Sequence, residues 1–536
     1  MDTNYACTVL RMRPFSPETE TMRITGSSHG RSVTPVKFLG REPVQEQLKT
    51  CLVPVSGPAR SRVAGPAHYC TLMLAGILLA ALPVHGGVSL TSLVSFNGTN
   101  GAYPMGRLVQ TADGAFYGVT QDGGAYSAGT VFKMASDGTL TTLVSFAQTN
   151  GQSPHAAVIR GLDGNFYGTT GFGGSYGNGT VYKMTPEGSL TTLFSFNGAN
   201  GSRPSAELTE GSDGNFYGST TEGGAWSNYF GFGYGTIFQI TPAGALTTLV
   251  NFDGTNGGSC WGSLTRMPDG NFYGTCRLGG SYTNTFLGVG YGTFFKMTSA
   301  GTLTTLISFD GTNYGGSFYR LVPTGDGSFF ETCYDVGTNL DSIGNVIGSI
   351  IRLTPGDSAT TMFAFNGTNG AYPRELMQAG DGNLYGTTGI GGVGYTGIIS
   401  QGPGQGTVFK MTPAGALTVL FEFTNNEVPF GGLIQASDGD LYGTTSGGGA
   451  YGAGTVFRLS VPMPAVLRSV TQKDGILTST WSVAAGQGYQ PQFCTDLSRT
   501  NWANLGPSIT ATNGTMNISD PIGPNPQRFY RLALLP

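Results

Sequence analysis

The sequence predicts an all-β protein: a seven-bladed β-propeller of four-stranded blades over residues 88–460, followed by a small β-sandwich over residues 463–536. Three observations predict it. A unit built on Asp-Gly followed by one or two aromatics recurs seven times, and four apolar segments recur in the same order within each period. The array also opens on a lone fourth segment and closes on a lone third. Four antiparallel strands in a period of about 50 residues form the pattern of a propeller blade.

The repeated unit reads DGAFYGVT (113–120), DGNFYGTT (163–170), DGNFYGST (213–220), DGNFYGTC (269–276), DGSFFETC (326–333), DGNLYGTT (381–388) and DGDLYGTT (438–445). Its Asp residues are 50, 50, 56, 57, 55 and 57 apart. A short apolar run such as RLVQTA (107–112) precedes the Asp and supplies the first strand. Asp-Gly reverses the chain, because both turn residues tolerate positive φ. The aromatic, Thr-rich segment after it has the composition strands prefer and supplies the second. GTVFKM (129–134) and its six counterparts supply the third strand, and LTTLVSF (140–146) and its counterparts the fourth, joined by turns such as TPEG (185–188). The opening segment SLTSLVSF (89–96) is a fourth strand without a blade, and GTVFRLS (454–460) is a third strand without a successor. Sharing one blade between the two ends would remove an open sheet edge.

The combination of DGNFYGTT, GTVFKMTPAG, LTTLVSF and NGTNGAYP resembles the GloVer tandem repeat of bacterial "choice-of-anchor" surface proteins, over roughly residues 88–460. The resemblance implies export and a propeller-like repeat. It brings no assigned reaction, so no catalytic residue carries over. The fifth unit departs from the pattern, with FFETCYDVGTNL (329–340) in place of FYGTT and glycines. Residues 463–536 lack the unit; LTSTWS (477–482), GYQPQFCTDLS (488–498) and RFYRLALLP (528–536) alternate like short strands and resemble a fibronectin-III-like sandwich, with Trp481 as core residue.

Only 11% of residues are charged, 88 are Gly, and the net charge is −4 without a Lys/Arg run. Such a surface has no electrostatic footprint for nucleic acid. The run CTLMLAGILLAALPV (70–84), with Arg60 and Arg62 before it, is short for a membrane span and suits a signal-peptide core. Residues 63–86 are therefore expected to be a signal peptide, with no membrane span in the mature chain and an extracellular or cell-surface location. Residues 1–62 lack periodicity and read as unstructured, with the true translation start expected near Val63 or Met73. The seven cysteines show no zinc spacing. Cys260 and Cys276 flank one hairpin and either bridge in an oxidising compartment or are small buried side chains.

Little in the chain suggests catalysis. Past the expected cut His155 is the one histidine, so a triad or a His-ligated metal would rest on a single loop residue. GGSYG (173–177) matches G-x-S-x-G, and GIGGVG (389–394) a dinucleotide fingerprint, but neither leads into a helix. No metal and no cofactor are expected. The enzyme reading rests on Glu207, Glu210 and Glu375 near a central channel. Three residues before each Asp, the first strand is expected to line that channel with Gln110, Arg160, Glu210, Arg266, Pro323, Gln378 and Gln435. Glu207 and Glu210 point to opposite faces of one strand, about 10 Å apart along it, a poor geometry for a glycosidase pair. The recurring Lys133, Lys183, Lys296 and Lys410 read as solvated or blade-bridging charges.

The loops between second and third strands are more informative. In six of seven repeats an aromatic follows their glycines: Tyr126, Tyr176, Trp226, Tyr282, Tyr395 and Tyr451. Enlarged loops in the third and fourth repeats add Tyr229, Tyr234 and Tyr291. These rings either stack on sugar rings, with amides binding hydroxyls, or pack between blades and seal the ring. The function expected is non-catalytic binding of a polysaccharide or a surface protein by a monomer. The alternatives are a carbohydrate-active enzyme using the channel and a structural or adhesive surface protein.

Overall fold

The structure is a computed structural model, and it describes residues 88–226, 231–282, 290–311, 315, 319–333, 347–356, 358–393, 395, 405–424, 426–461, 465–483, 486–495, 502–521 and 528–535. The expected leader and the stretch before it lie outside these residues. Ser89–Ser460 forms one compact unit, and Val461–Pro536 belongs to a second. The fold is all-β, with no helix among the described residues.

Within Ser89–Ser460 the described residues form seven four-stranded antiparallel sheets, six of them built from four strands consecutive in the chain. The first comprises Val109–Gln110, Phe116–Thr120, Thr130–Met134 and Leu140–Ser145. The seventh comprises Ile434–Gln435, Leu441–Thr445 and Thr455–Ser460. Its fourth strand is Ser89–Ser95, which pairs antiparallel with Thr455–Ser460 from Ser89↔Ser460 to Ser95↔Thr455. The hairpin turns follow from the sequence: Gly114 sits at φ 83°, a region open to glycine but strained for most other residues. A register shift interrupts the pairing of third and fourth strands in the first sheet, between Val131 and Phe132, and recurs in its counterparts. Such a bulge adds local twist.

The packing explains why the repeated unit carries two aromatics and a glycine. The Tyr of one sheet stacks on the Phe of the next: Tyr117 on Phe166 at 4.1 Å, Tyr167 on Phe216 at 4.0 Å, Tyr217 on Phe272 at 4.3 Å and Tyr273 on Phe329 at 5.0 Å. Tyr442 of the seventh sheet stacks at 4.4 Å on Phe116 of the first. Each pair adds about 0.5–1.5 kcal/mol beyond the area it buries. The glycine at the third place of the second strand lies opposite the third-strand aromatic, as in Gly118↔Phe132 and Gly386↔Phe409. A Cβ on Gly386 would meet the Phe409 ring at 2.6 Å. The fifth sheet reverses the sizes: Glu331 takes the glycine position and Ile351 stands opposite it. Buried Glu331 accepts a 2.5 Å hydrogen bond from Thr275 of the fourth sheet.

In the second unit, Val466–Lys473, Ile476–Ser482 and Thr515–Pro521 form one sheet. Gly488–Cys494 pairs with Ala503–Asn504, Ile509–Thr510 and Phe529–Leu534 in another. Trp481, Leu477 and Ile518 of the first sheet share one core with Tyr489 and Leu532 of the second. Trp481 donates its indole N–H to Ser479 Oγ at 2.9 Å, which satisfies the one polar group its burial would strand.

Candidate functional site

The repeated charges are absorbed within their own sheets. Lys183 Nζ lies 2.8 Å from Asp163 Oδ2, which also accepts from the Tyr167 hydroxyl at 2.8 Å, and the ammonium sits 5.5 Å from the centre of the Tyr167 ring. The same triangle joins Lys410, Asp381 and Tyr385. Burial would raise the Asp381 carboxyl, but Lys410 and Asn383 hold it below the usual carboxylate range. The Asp of each Asp-Gly thus has a second task beyond the turn. The recurring lysines are partly solvated, as the sequence suggested, and do not bridge sheets, because the partner Asp lies across the same sheet.

The chemistry that differs between repeats gathers elsewhere. A cavity of about 430 Å³ is lined by residues from all seven repeats, and in each it draws on the stretch six to eight residues before the repeat's Asp. Six before, the residues are Arg107, Ala157, Glu207 and Ser263 in the first four repeats, then Arg320, Glu375 and Gly432. Upstream of this row the backbone turns through the left-handed region at non-glycine residues Tyr103, Ser153, Arg203, Ser259 and Tyr372, with φ of 51–56°. Bulky residues rarely adopt that conformation. It recurs where the chain leaves the outer loops for the cavity.

Arg107 anchors the cavity. Its Nε donates to Glu207 Oε2 at 2.9 Å and its Nη2 to Glu207 Oε1 at 2.5 Å, a bidentate pair, while Glu375 Oε1 lies 3.9 Å from Nε. Glu207 raises the pKa of the Arg107 guanidinium further, against burial, so it stays charged. Burial raises the Glu375 carboxyl, and Arg107 and, more weakly, Arg320 offset this only in part. Arg374 donates to the Tyr319 hydroxyl at 2.9 Å and stacks 4.1 Å from the centre of the Phe430 ring. Trp261 completes an aromatic wall. His155 also lines the cavity; burial and the nearby Arg203 push its pKa down to about 4, so it is neutral at pH 7.

The row three residues before each Asp, expected to line the channel, does not contribute to this cavity. Several of its members are instead bonded to the preceding sheet. Gln110 accepts from Ser437 N at 2.8 Å, Gln435 from Gly380 N at 2.7 Å, and Glu210 from Leu162 N at 3.4 Å. Of the three candidate carboxylates, Glu207 and Glu375 therefore meet at Arg107 and Glu210 stands apart. The first-strand reading stopped three residues short. Comparing the repeats for the position where charge varies most would have found the right row.

On the outer loops, Tyr126, Tyr176, Trp226, Tyr282 and Tyr451 are 54–68% exposed. Tyr234, Tyr291 and Tyr395 are half-buried and pack against hydrophobic clusters. Each of these three covers a glycine of an adjacent loop: Gly254, Gly311 and Gly367 respectively. A Cβ at Gly254 would sit 2.7 Å from the Tyr234 ring, so ring and glycine form a fitted pair. Tyr229 lies outside the described residues. Phe232, 61% exposed in the same loop as Trp226, was not singled out from the sequence. Among the described residues there is no cluster of three or more metal-ligating side chains, and no helix long and apolar enough to cross a membrane.

Stacked four-stranded sheets in tandem, joined by inter-sheet aromatic pairs, define a propeller-like repeat protein. The chain belongs to the Gloeobacter/Verrucomicrobia repeat family, whose model matches residues 81–287, 227–400 and 285–489. No curated protein matches it in sequence. Among solved structures it is similar to a lectin from Burkholderia pseudomallei, at 11% identity over 77% of this chain and 100% of the other, with a TM-score of 0.43. A gluconolactonase from Xanthomonas campestris matches at 11% identity over 70% and 91% of the two chains, with a TM-score of 0.34. The PQQ domain of a pyranose dehydrogenase from Coprinopsis cinerea matches at 12% over 70% and 96%, with a TM-score of 0.35.

Proposed function

We propose that the protein is an exported, closed seven-bladed propeller that binds carbohydrate or another cell-surface ligand through its aromatic loop face, without catalysis. The observation that carries this reading is the exposure of Tyr126, Tyr176, Trp226, Tyr282 and Tyr451 at matching loop positions. The inter-sheet aromatics of the same unit are nearly all buried, so packing alone does not account for these five. Exposed rings flanked by backbone amides suit stacking on sugar faces. Closure is supported by the Ser89–Ser95 strand in the seventh sheet, the Tyr442–Phe116 stack and the Gln110–Ser437 hydrogen bond. Export is supported by the disulfide between Cys260 and Cys276, a bond that persists in oxidising compartments.

In this reading residues 63–86 are a signal peptide, 88–460 the propeller and 463–536 a fibronectin-III-like sandwich, and the mature protein is a monomer. The enzyme alternative is weaker on geometry: both Glu207 oxygens are engaged by Arg107, which leaves no free base beside Glu375. The test is retention of the purified protein on a panel of soluble and insoluble polysaccharides, with supernatants assayed for released sugar. Retention lost in Trp226→Ala and Tyr282→Ala supports the reading. Absence of retention by the parent protein on every polysaccharide would sink it in favour of a protein partner or a structural role, and released sugar would favour an enzyme.

A further inference from the structure

The central cavity holds more positive than negative charge. Arg107, Arg320 and Arg374 face Glu207 and Glu375, an excess of one positive charge with both carboxyls ionised. The pairs are unevenly distributed. Glu207 is consumed by Arg107, and Arg374 is turned toward Tyr319 and Phe430. Arg320 is half-buried in the cavity wall, and among the described residues it makes no hydrogen bond and no ion pair within 4 Å. Glu375 acts on it from beyond ion-pair distance, but its donors stay unfilled, and a ligand acceptor would fill them. Its planar fork matches a carboxylate with two parallel hydrogen bonds.

The remaining lining fits a hydroxyl-bearing ring. Trp261, Tyr319 and Phe430 line the cavity with aromatic rings. A volume of about 430 Å³ is within the range of small-molecule sites. We infer that this cavity is a binding site for a small carboxylated sugar, a monoanion of the uronic-acid type, held by Arg320 through its carboxylate and by the aromatic wall through its ring. A single negative charge neutralises the excess, whereas a phosphate dianion would overshoot it. The loop-face reading is independent, since none of the five exposed rings lines the cavity.

The experiment is isothermal titration calorimetry on the purified protein with glucuronate, galacturonate, glucose and inorganic phosphate, and with an oligogalacturonide to separate a free sugar acid from a chain end. The site predicts saturable binding of at least one uronate, with glucose and phosphate weaker by tenfold or more. Arg320→Ala and Arg320→Gln should each weaken uronate binding at least tenfold while leaving the melting temperature unchanged, and Trp226→Ala should leave it intact. Tighter binding of the oligomer than of the monomer would assign the ligand as a chain terminus, and the reverse as a free acid. Absence of uronate binding, equal affinity for glucose, or full affinity in both Arg320 variants would overturn the inference.

Discussion

The Asp of each repeat and the row six residues before it make an instructive contrast. The first is the same residue seven times, and six of the seven repeats place a Tyr four residues later. The second reads Arg, Ala, Glu, Ser, Arg, Glu, Gly, and no neighbour repeats its predecessor. The first row ties together strands of its own sheet, as in the triangle of Asp163, Tyr167 and Lys183. The second meets in one cavity, where identical residues would place seven like charges against one another. Repetition therefore suits the scaffold, and recognition needs the symmetry broken.

The largest effect is expected where the scaffold has no spare room. Gly386→Val places a branched side chain against the Phe409 ring and should cost about 1–3 kcal/mol in denaturant unfolding. The fifth sheet suggests a rescue, because there the larger residue faces Ile351. Adding Phe409→Ile should recover part of the loss, and a double-mutant cycle with no coupling would show that size matching across this pair is not what selects glycine.

A smaller loss is expected from Asp381→Asn, which leaves the partly exposed Lys410 without its counter-charge and should cost about 1 kcal/mol at pH 7. The folded-state pKa of Asp381 lies below its unfolded value of about 3.9. Its contribution is therefore full above that pH and fades as pH falls through the folded value. The difference between parent and variant should shrink in acid; a difference that grew below pH 4 would contradict the assignment. The smallest effect sharpens the contrast from the other side. Arg320→Ala removes a half-buried charge that makes no hydrogen bond and acts on Glu375 only from a distance, and should shift stability by less than about 0.5 kcal/mol.

Much of the scaffold was legible without coordinates. Asp-Gly marks a turn because few residue pairs tolerate its dihedrals, and alternating aromatic and Thr residues mark a strand because they suit a half-buried pleat. Both signals are local, and seven repetitions amplify them. The outer aromatics were legible only as a set: Tyr126 and Tyr395 follow the same glycines, yet one is exposed and the other is packed on a hydrophobic cluster. Cys260 and Cys276 had two open readings, and pairing them depended on bringing the approach to the first strand beside the end of the second.

By itself the sequence determined the all-β class, the four strands of each repeat and the aromatic unit between them, since these follow from spacing and backbone preference over a few residues. The tertiary structure alone decided which row of residues faces inward, and so which of Glu207, Glu210 and Glu375 share a site. The physical reason is distance along the chain. Arg107 finds Glu207 at a separation of 100 residues and Glu375 farther still, and such pairings exist only once the repeats are stacked.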